Sequence, residues 1–334
     1  MHTSKFLVAF VVCLTSTLAQ AAGFRFIDVP ADANNPALEG AMWYPCSEPP
    51  GEIDLGNITL PGGKVANITL PGVKDCPMSG DRMPLVVVSP GDGGGWSDQH
   101  DTAETLADAG FIVAATEHPG DETRSGDLSK LVERPSDIKR LIDFMIDASA
   151  ASSKIDRERI GFFGFSLGGY TGLVLIGADP DWAFLLCRRS SSRATCEQIL
   201  RKEFRVQSLT HDARIKVAVI ADPPGFFLTA DSLAAVKVPV QLWGSEHGTE
   251  PQENSPDRGV SPESVAAVDR NLRATHEYHV VPNSRHLDFV ICAPALANER
   301  ICKDAPGFDR VAFHKQFNAD VLAFFRVRLD LGTR

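Results

Sequence analysis

Short, continuous apolar runs recur along the chain, each ending in a turn of glycine, proline or charged residues, and between them apolar positions fall at helical spacing. Runs of this kind at 85–89, 111–115, 216–221 and 238–243, and one ending at Phe165, predict strands buried on both faces, and a further strand is expected at 277–281. Helices are expected at 102–109, at 135–148 through Ile138, Leu141, Ile142 and Met145, from Tyr170 to Ile176, and at 309–327 through Val311, Phe317, Val321 and Phe324. Two further strands, 24–30 and 38–44, come first. Alternation of this kind implies an α/β protein with a doubly wound, mostly parallel sheet, whose functional groups collect at the carboxyl ends of the strands.

Two segments interrupt the pattern. Residues 46–81 are rich in proline and glycine, and within them Asn57-Ile-Thr-Leu-Pro-Gly62 recurs as Asn67-Ile-Thr-Leu-Pro-Gly72. A surface hairpin or loop is expected there, and both copies are formal N-glycosylation acceptors. Residues 179–214 are polar and carry Trp182, Phe184, Leu185 and two cysteines, in length a small lid rather than a domain.

Composition places the chain in a compartment. Residues 1–21 combine Lys5, a short apolar run and a small-residue ending Ala19-Gln20-Ala21, the pattern of a secretory signal cleaved before Ala22. A single domain, 22–334, follows, secreted or periplasmic. Six of the seven cysteines lie in it, and nearness in sequence pairs Cys46 with Cys76, Cys187 with Cys196, and Cys292 with Cys302. The net charge is -10, with no block of Lys and Arg, which argues against a nucleic-acid surface. No apolar stretch reaches membrane length, so stable membrane insertion is not expected, and oligomeric state is not encoded in any motif.

The chemistry gathers around one turn. Gly164-Phe165-Ser166-Leu167-Gly168 follows a buried strand and opens a helix, the setting of a nucleophile elbow. A serine lifted onto a strained turn takes a positive φ, and the close approach of helix to strand leaves no room for Cβ atoms beside it. The alternative is a glycine-rich turn that carries its serine incidentally. Ser166 needs a base, because a hydroxyl attacks only as its proton is removed. His286 is best placed, on the loop after the last strand, whereas His118 precedes the serine in the chain. Two acids end successive strands: Asp222 after Ala-Val-Ile-Ala, and Glu246 after Trp243-Gly244-Ser245. Asp222 is the choice for orienting the imidazole and Glu246 the reserve. Asp288 lies too near His286 and reads as a loop acceptor.

Oxyanion donors are expected from the amides of Leu167, at the helix start, and Asp92, in the loop after 85–89. Trp96, Trp182, Phe226 and Phe227 are the candidates for a substrate pocket, with core packing as the competing role. The acids Asp92, Asp98 and Asp101 with His100 match no calcium-loop spacing, and no metal or organic cofactor is needed.

These residues resemble a known family. Pro84-Leu-Val-Val-Val-Ser89, Gly110-Phe-Ile-Val-Ala-Ala-Thr-Glu-His118, Gly164-Phe-Ser-Leu-Gly-Gly169 and Ala218-Val-Ile-Ala-Asp222 are similar to runs in the secreted platelet-activating-factor acetylhydrolases, and the chain looks like the predicted dienelactone hydrolases of the α/β-hydrolase superfamily. The resemblance implies an α/β-hydrolase fold and places the triad aspartate at Asp222, with Ser245-Glu246 matching a non-catalytic pair. Two departures stand out: Pro90-Gly91 occupies the place of a usual His-Gly, and the nucleophile is serine where true dienelactone hydrolases use cysteine. The implied activity is therefore that of a serine carboxylester hydrolase on a small-molecule ester. Amide hydrolysis or acyl transfer on the same triad, and a non-catalytic binding protein on the scaffold, are the alternatives.

Overall fold

The computed structural model describes residues 22–59, 65–120, 129–180, 209–249, 260–292, 297 and 299–330. The expected signal segment, most of the lid, and Trp182, Cys187 and Cys196 lie outside the described residues. Strands β1 (Ala22–Val29) and β2 (Leu38–Pro45) open the chain, followed by the hairpin β3 (Glu52–Thr59) and β4 (Val65–Pro71) and the short β5 (Val73–Lys74). Then come β6 (Met83–Ser89), β7 (Ile112–Thr116), β8 (Ile155–Phe165), β9 (Ile215–Ala221), β10 (Val240–Ser245) and β11 (His276–Val281). All but the hairpin form one sheet in the order β11-β10-β9-β8-β6-β7-β2-β1-β5. From β11 to β7 every pairing is parallel; β2 joins β7 and β1 antiparallel. After β6 the chain steps outward to β7 and returns on the other side of β6 as β8. That reversal opens a crevice between the carboxyl ends of β6 and β8, where ligands bind in sheets of this type.

Alternate residues along the strands feed two cores. Leu85 and Val87 of β6 and Phe162 of β8 face helices α2 (Ser129–Asp147), α3 (Leu167–Leu175) and α4 (Pro262–Asn271). Val86, Val88, Phe163 and Phe165 face α1 (His100–Asp108) and α5 (Arg310–Arg328). Continuous apolar sequence is thus the consequence of being covered on both sides.

The structure departs from the sequence-based expectation at two helices. Helix α4 has no counterpart in the apolar pattern, although its start is signalled: Ser261 caps it, accepting from the Ser264 amide at 3.2 Å, and Pro262 begins the first turn. The repeat falls on a hairpin, one of the two forms expected, whose register sets Asn57 opposite Asn67. Helix α2 begins at Ser129 and carries Pro135 within it rather than starting there. Proline has no N–H for the carbonyl four residues back, and that carbonyl, Leu131 O, instead accepts the buried Tyr170 hydroxyl at 3.1 Å. Of the expected cysteine pairs, Cys46–Cys76 and Cys292–Cys302 stand at bonding distance.

The tie between Tyr170 and α2 is open to test. Tyr170→Phe leaves the Leu131 carbonyl without that partner and should cost about 1–3 kcal/mol in urea unfolding. In the Tyr170→Phe background, Pro135→Ala returns an N–H to the helix and should recover part of the loss.

Candidate active site

Strand β8 ends at Phe165, and Ser166 stands at the head of α3 with φ 54° and ψ -121°. This is the strained turn that its glycines anticipate. A Cβ at Gly164 would lie 2.3 Å from Gly168 O, and one at Gly168 would lie 2.0 Å from Ser89 O. No side chain fits at either position. The Ser166 amide is held by Ala221 O of β9 at 2.8 Å, which registers the turn against the neighbouring strand. Leu167, as the first residue of α3, presents an N–H with no acceptor inside the helix, at its positive end.

His286 reaches this serine from the other end of the chain. It opens a single 3-10 turn, His286–Phe289, just beyond β11, and its Nε2 lies 2.9 Å from Ser166 Oγ. Its Nδ1 lies 2.6 Å from Asp222 Oδ2. With Asp222 accepting at that distance, Nδ1 carries the hydrogen and the Nε2 lone pair faces the serine hydroxyl. Phe165 stacks on the imidazole with ring centroids 4.8 Å apart, and Gly248 O accepts the His286 amide at 2.9 Å.

Asp222 is fully buried at the end of β9, with φ 47°. A carboxylate in that position requires donors, and β10 provides them. The Ser245 amide donates to Oδ1 and the Ser245 hydroxyl to Oδ2, both at 2.8 Å. Ser245 was absent from the sequence-derived site, though its place at the end of the strand beside the acid is the signal that marks it. Glu246 does not approach His286. Its carboxylate accepts the Asn283 amide at 2.5 Å and so braces the turn three residues before the histidine. Asp288 accepts the Arg285 amide at 2.7 Å and pairs with Arg310 at 2.8 Å, holding the same turn from below.

The loop after β6 packs against the elbow. A Cβ at Gly91 would come 3.4 Å from Ser166 Cβ, so the backbone before Asp92 borders Ser166, and the Asp92 side chain is exposed. The pocket candidates are separated. Trp96 joins an aromatic group with Phe24, Phe26 and Trp43 on the face of α1 and α5. Phe227 is buried on the opposite face against Tyr170, with Phe226 at 4.7 Å from it. Trp96 thus packs against the core on one face of the sheet and Phe227 within the core on the other. The acids near α1 also diverge: His100 pairs with Glu104 at 2.8 Å, and Asp101 with His314 at 2.7 Å.

Residues 96–192 match the model of the prolyl oligopeptidase family, a segment that includes β7, β8, Ser166 and α3. The structure is similar to that of a ferulic acid esterase from Streptomyces cinnamoneus, with 18% sequence identity over 96% of this chain and 93% of that chain and a TM-score of 0.59. No curated protein sequence matches the chain. Together with the strand order, the likeness establishes an α/β-hydrolase fold.

One buried acid near the site has a measurable signature. Burial, with the charge of Glu117 adding to it, pushes the Asp98 carboxyl up to about 6. A folded value above the ordinary 3.8 stabilises the fold below that value, and the contribution is lost as pH rises through 6. Asp98→Asn should remove this dependence. Relative to the variant, the native protein should lose about 1–2 kcal/mol of unfolding free energy between pH 4 and pH 8, read from denaturant curves at each pH.

Proposed function

We propose that the chain is an exported serine hydrolase that cleaves carboxylic esters through an acyl-enzyme on Ser166. The observation that carries this reading is the unbroken series Ser166 Oγ, His286 Nε2, His286 Nδ1 and Asp222 Oδ2, with steps of 2.9 and 2.6 Å. As Ser166 attacks the ester carbonyl, His286 Nε2 takes the hydroxyl proton. The resulting imidazolium is stabilised by Asp222, itself held by Ser245. The negative charge on the former carbonyl oxygen meets the amides of Leu167 and Asp92. When the tetrahedral adduct collapses, His286 returns the proton to the leaving alcohol. Water then enters by the same path in reverse roles and frees the acid. No step requires a metal or an organic cofactor.

The fold likeness to a ferulic acid esterase supports the ester reading, and the placement of the acid after β9 rather than β10 supports the finer resemblance to the acetylhydrolases. Short-chain or otherwise accessible small-molecule esters are the substrates this reading assigns. Export rests on the signal pattern in residues 1–21. A second reading, hydrolysis of an amide by the same residues, is favoured by the match to the prolyl oligopeptidase family over 96–192. Paired ester and anilide substrates of one acyl group separate the two.

A fluorophosphonate probe should form a single adduct, located on Ser166 by peptide mass spectrometry and absent from Ser166→Ala. An unlabelled Ser166 in folded protein would sink the hydrolase reading in favour of a binding protein on the scaffold. For the acid, Asp222→Asn turns a hydrogen-bond acceptor toward Nδ1 into a donor, fixes the wrong tautomer, and should lower kcat by about 10⁴. Glu246→Gln, which touches only the Asn283 turn, should change kcat by a few-fold at most.

A further inference from the structure

Behind the loop that follows β6, a second serine, histidine and aspartate are joined in series. Ser89 Oγ lies 2.9 Å from His118 Nε2, and His118 Nδ1 lies 3.0 Å from Asp137 Oδ2. The spacing is close to that of the Ser166 series, yet the surroundings differ. Ser89 is 0% exposed and His118 3%, so no substrate reaches them. Ser89 Oγ instead accepts a hydrogen bond from Arg134 Nη2 at 3.2 Å. A hydroxyl that accepts from a guanidinium has its own proton to give, and its other neighbour is His118 Nε2. The imidazole is then neutral, with its hydrogen on Nδ1 directed at Asp137. Burial, with the Arg134 cation adding to it, holds the imidazole well below its ordinary range, in keeping with that tautomer.

Arg134 reaches past Ser89 to the backbone of the loop. Its guanidinium donates to Pro90 O and, at 3.3 Å, to Gly91 O. Its Nε donates to Thr171 Oγ1 at 3.3 Å, and Thr171 Oγ1 donates in turn to Leu167 O at 3.0 Å. In a trans peptide the C=O and the following N–H point in opposite directions. A guanidinium that holds Pro90 O and Gly91 O on one side therefore turns the N–H groups of Gly91 and Asp92 to the other. Gly91 borders Ser166, and Thr171 lies one turn beyond Leu167 on α3.

We propose that Arg134 is a positioning residue for the oxyanion site: one guanidinium sets the peptide planes at 90–92 and the first turn of α3 relative to each other, so that the Asp92 and Leu167 amides converge on a single oxygen. The Ser89–His118–Asp137 series fixes the guanidinium from behind. The proposal rests on the serine-hydrolase reading. It also gives Pro90 a physical role, since proline contributes a carbonyl to this grip and no N–H that would need a partner in the buried loop.

The test compares steady-state kinetics of the native protein, Arg134→Lys and Ser89→Ala, each first shown to be folded by circular dichroism and thermal melting. Lysine keeps the charge, but as a single point it cannot hold two carbonyls and Thr171 together. Arg134→Lys should lower kcat about ten- to hundredfold while KM stays within about threefold, because only the transition state carries the oxyanion. Ser89→Ala, which removes one acceptor of the guanidinium, should show the same pattern to a smaller degree. Should Arg134→Lys not fold, Ser89→Ala decides alone by the same split. A folded variant set with native kcat, or with the loss confined to KM, overturns the role of Arg134 while Ser166 still labels with fluorophosphonate. A native protein that neither labels nor hydrolyses esters overturns the hydrolase reading, and this inference with it.

Discussion

A Cβ at Gly168 would lie 2.0 Å from the Ser89 carbonyl, and one at Gly164 2.3 Å from the Gly168 carbonyl. Three backbones therefore meet where side chains would hold them apart: the end of β8, the head of α3 and the end of β6. Everything at the site is measured from that contact. It forces Ser166 to a positive φ, sets Leu167 at the head of α3, and brings Gly91 against Ser166. The strain of a serine at φ 54° is of order 1–3 kcal/mol, and it is sustained by the two large cores that clamp the strands from both faces.

Two series of serine, histidine and aspartate lie on either side of this contact and share their chemistry but not their surroundings. In one, His286 is 8% exposed and faces a hydroxyl at the mouth of the crevice; in the other, His118 is sealed beneath a guanidinium. Opening decides what each can do. On the proposed reading, His286 takes up a proton transiently beside the Asp222 carboxylate, which two hydrogen bonds from Ser245 hold in place. A histidine held neutral transmits position instead, linking the loop after β6 to α2 through Asp137.

Much of this was legible in the chain, for identifiable reasons. Strands covered on both faces must be continuously apolar, so β6 to β10 stand out in the sequence, and an elbow must carry glycines where backbones touch. The order of serine, acid and base along the chain then points to His286, while the choice of Asp222 over Glu246 leans on the family resemblance. Less legible were features whose cause lies in another element. Helix α2 extends through Pro135 because Tyr170, on α3, takes the carbonyl that proline abandons. His118 precedes the serine in the chain, and its contacts run to Ser89 and Asp137, neither of which a local motif marks. Trp96 and Phe227 read alike as aromatic candidates in loops after strand ends, and only their packing partners assign them to opposite faces.

The division of work between the two strand-end acids follows from the same geometry. Strand β9 is the immediate neighbour of β8, and the hydrogen bond from Ser166 N to Ala221 O places the residue after Ala221 beside the elbow. Asp222 then needs a positive φ of its own, 47°, to turn its carboxylate toward the histidine, and the bond from its amide to Trp243 O anchors it to β10. Strand β10 lies one place farther out. An acid there would have to reach across Asp222, and what β10 contributes instead is the pair of Ser245 donors that a buried carboxylate requires. Glu246, one residue on and turned outward, accepts the Asn283 amide and fixes the bend from which His286 returns. Asp222, on the nearer strand, contacts His286, and Glu246, on the farther strand, shapes the loop that delivers it.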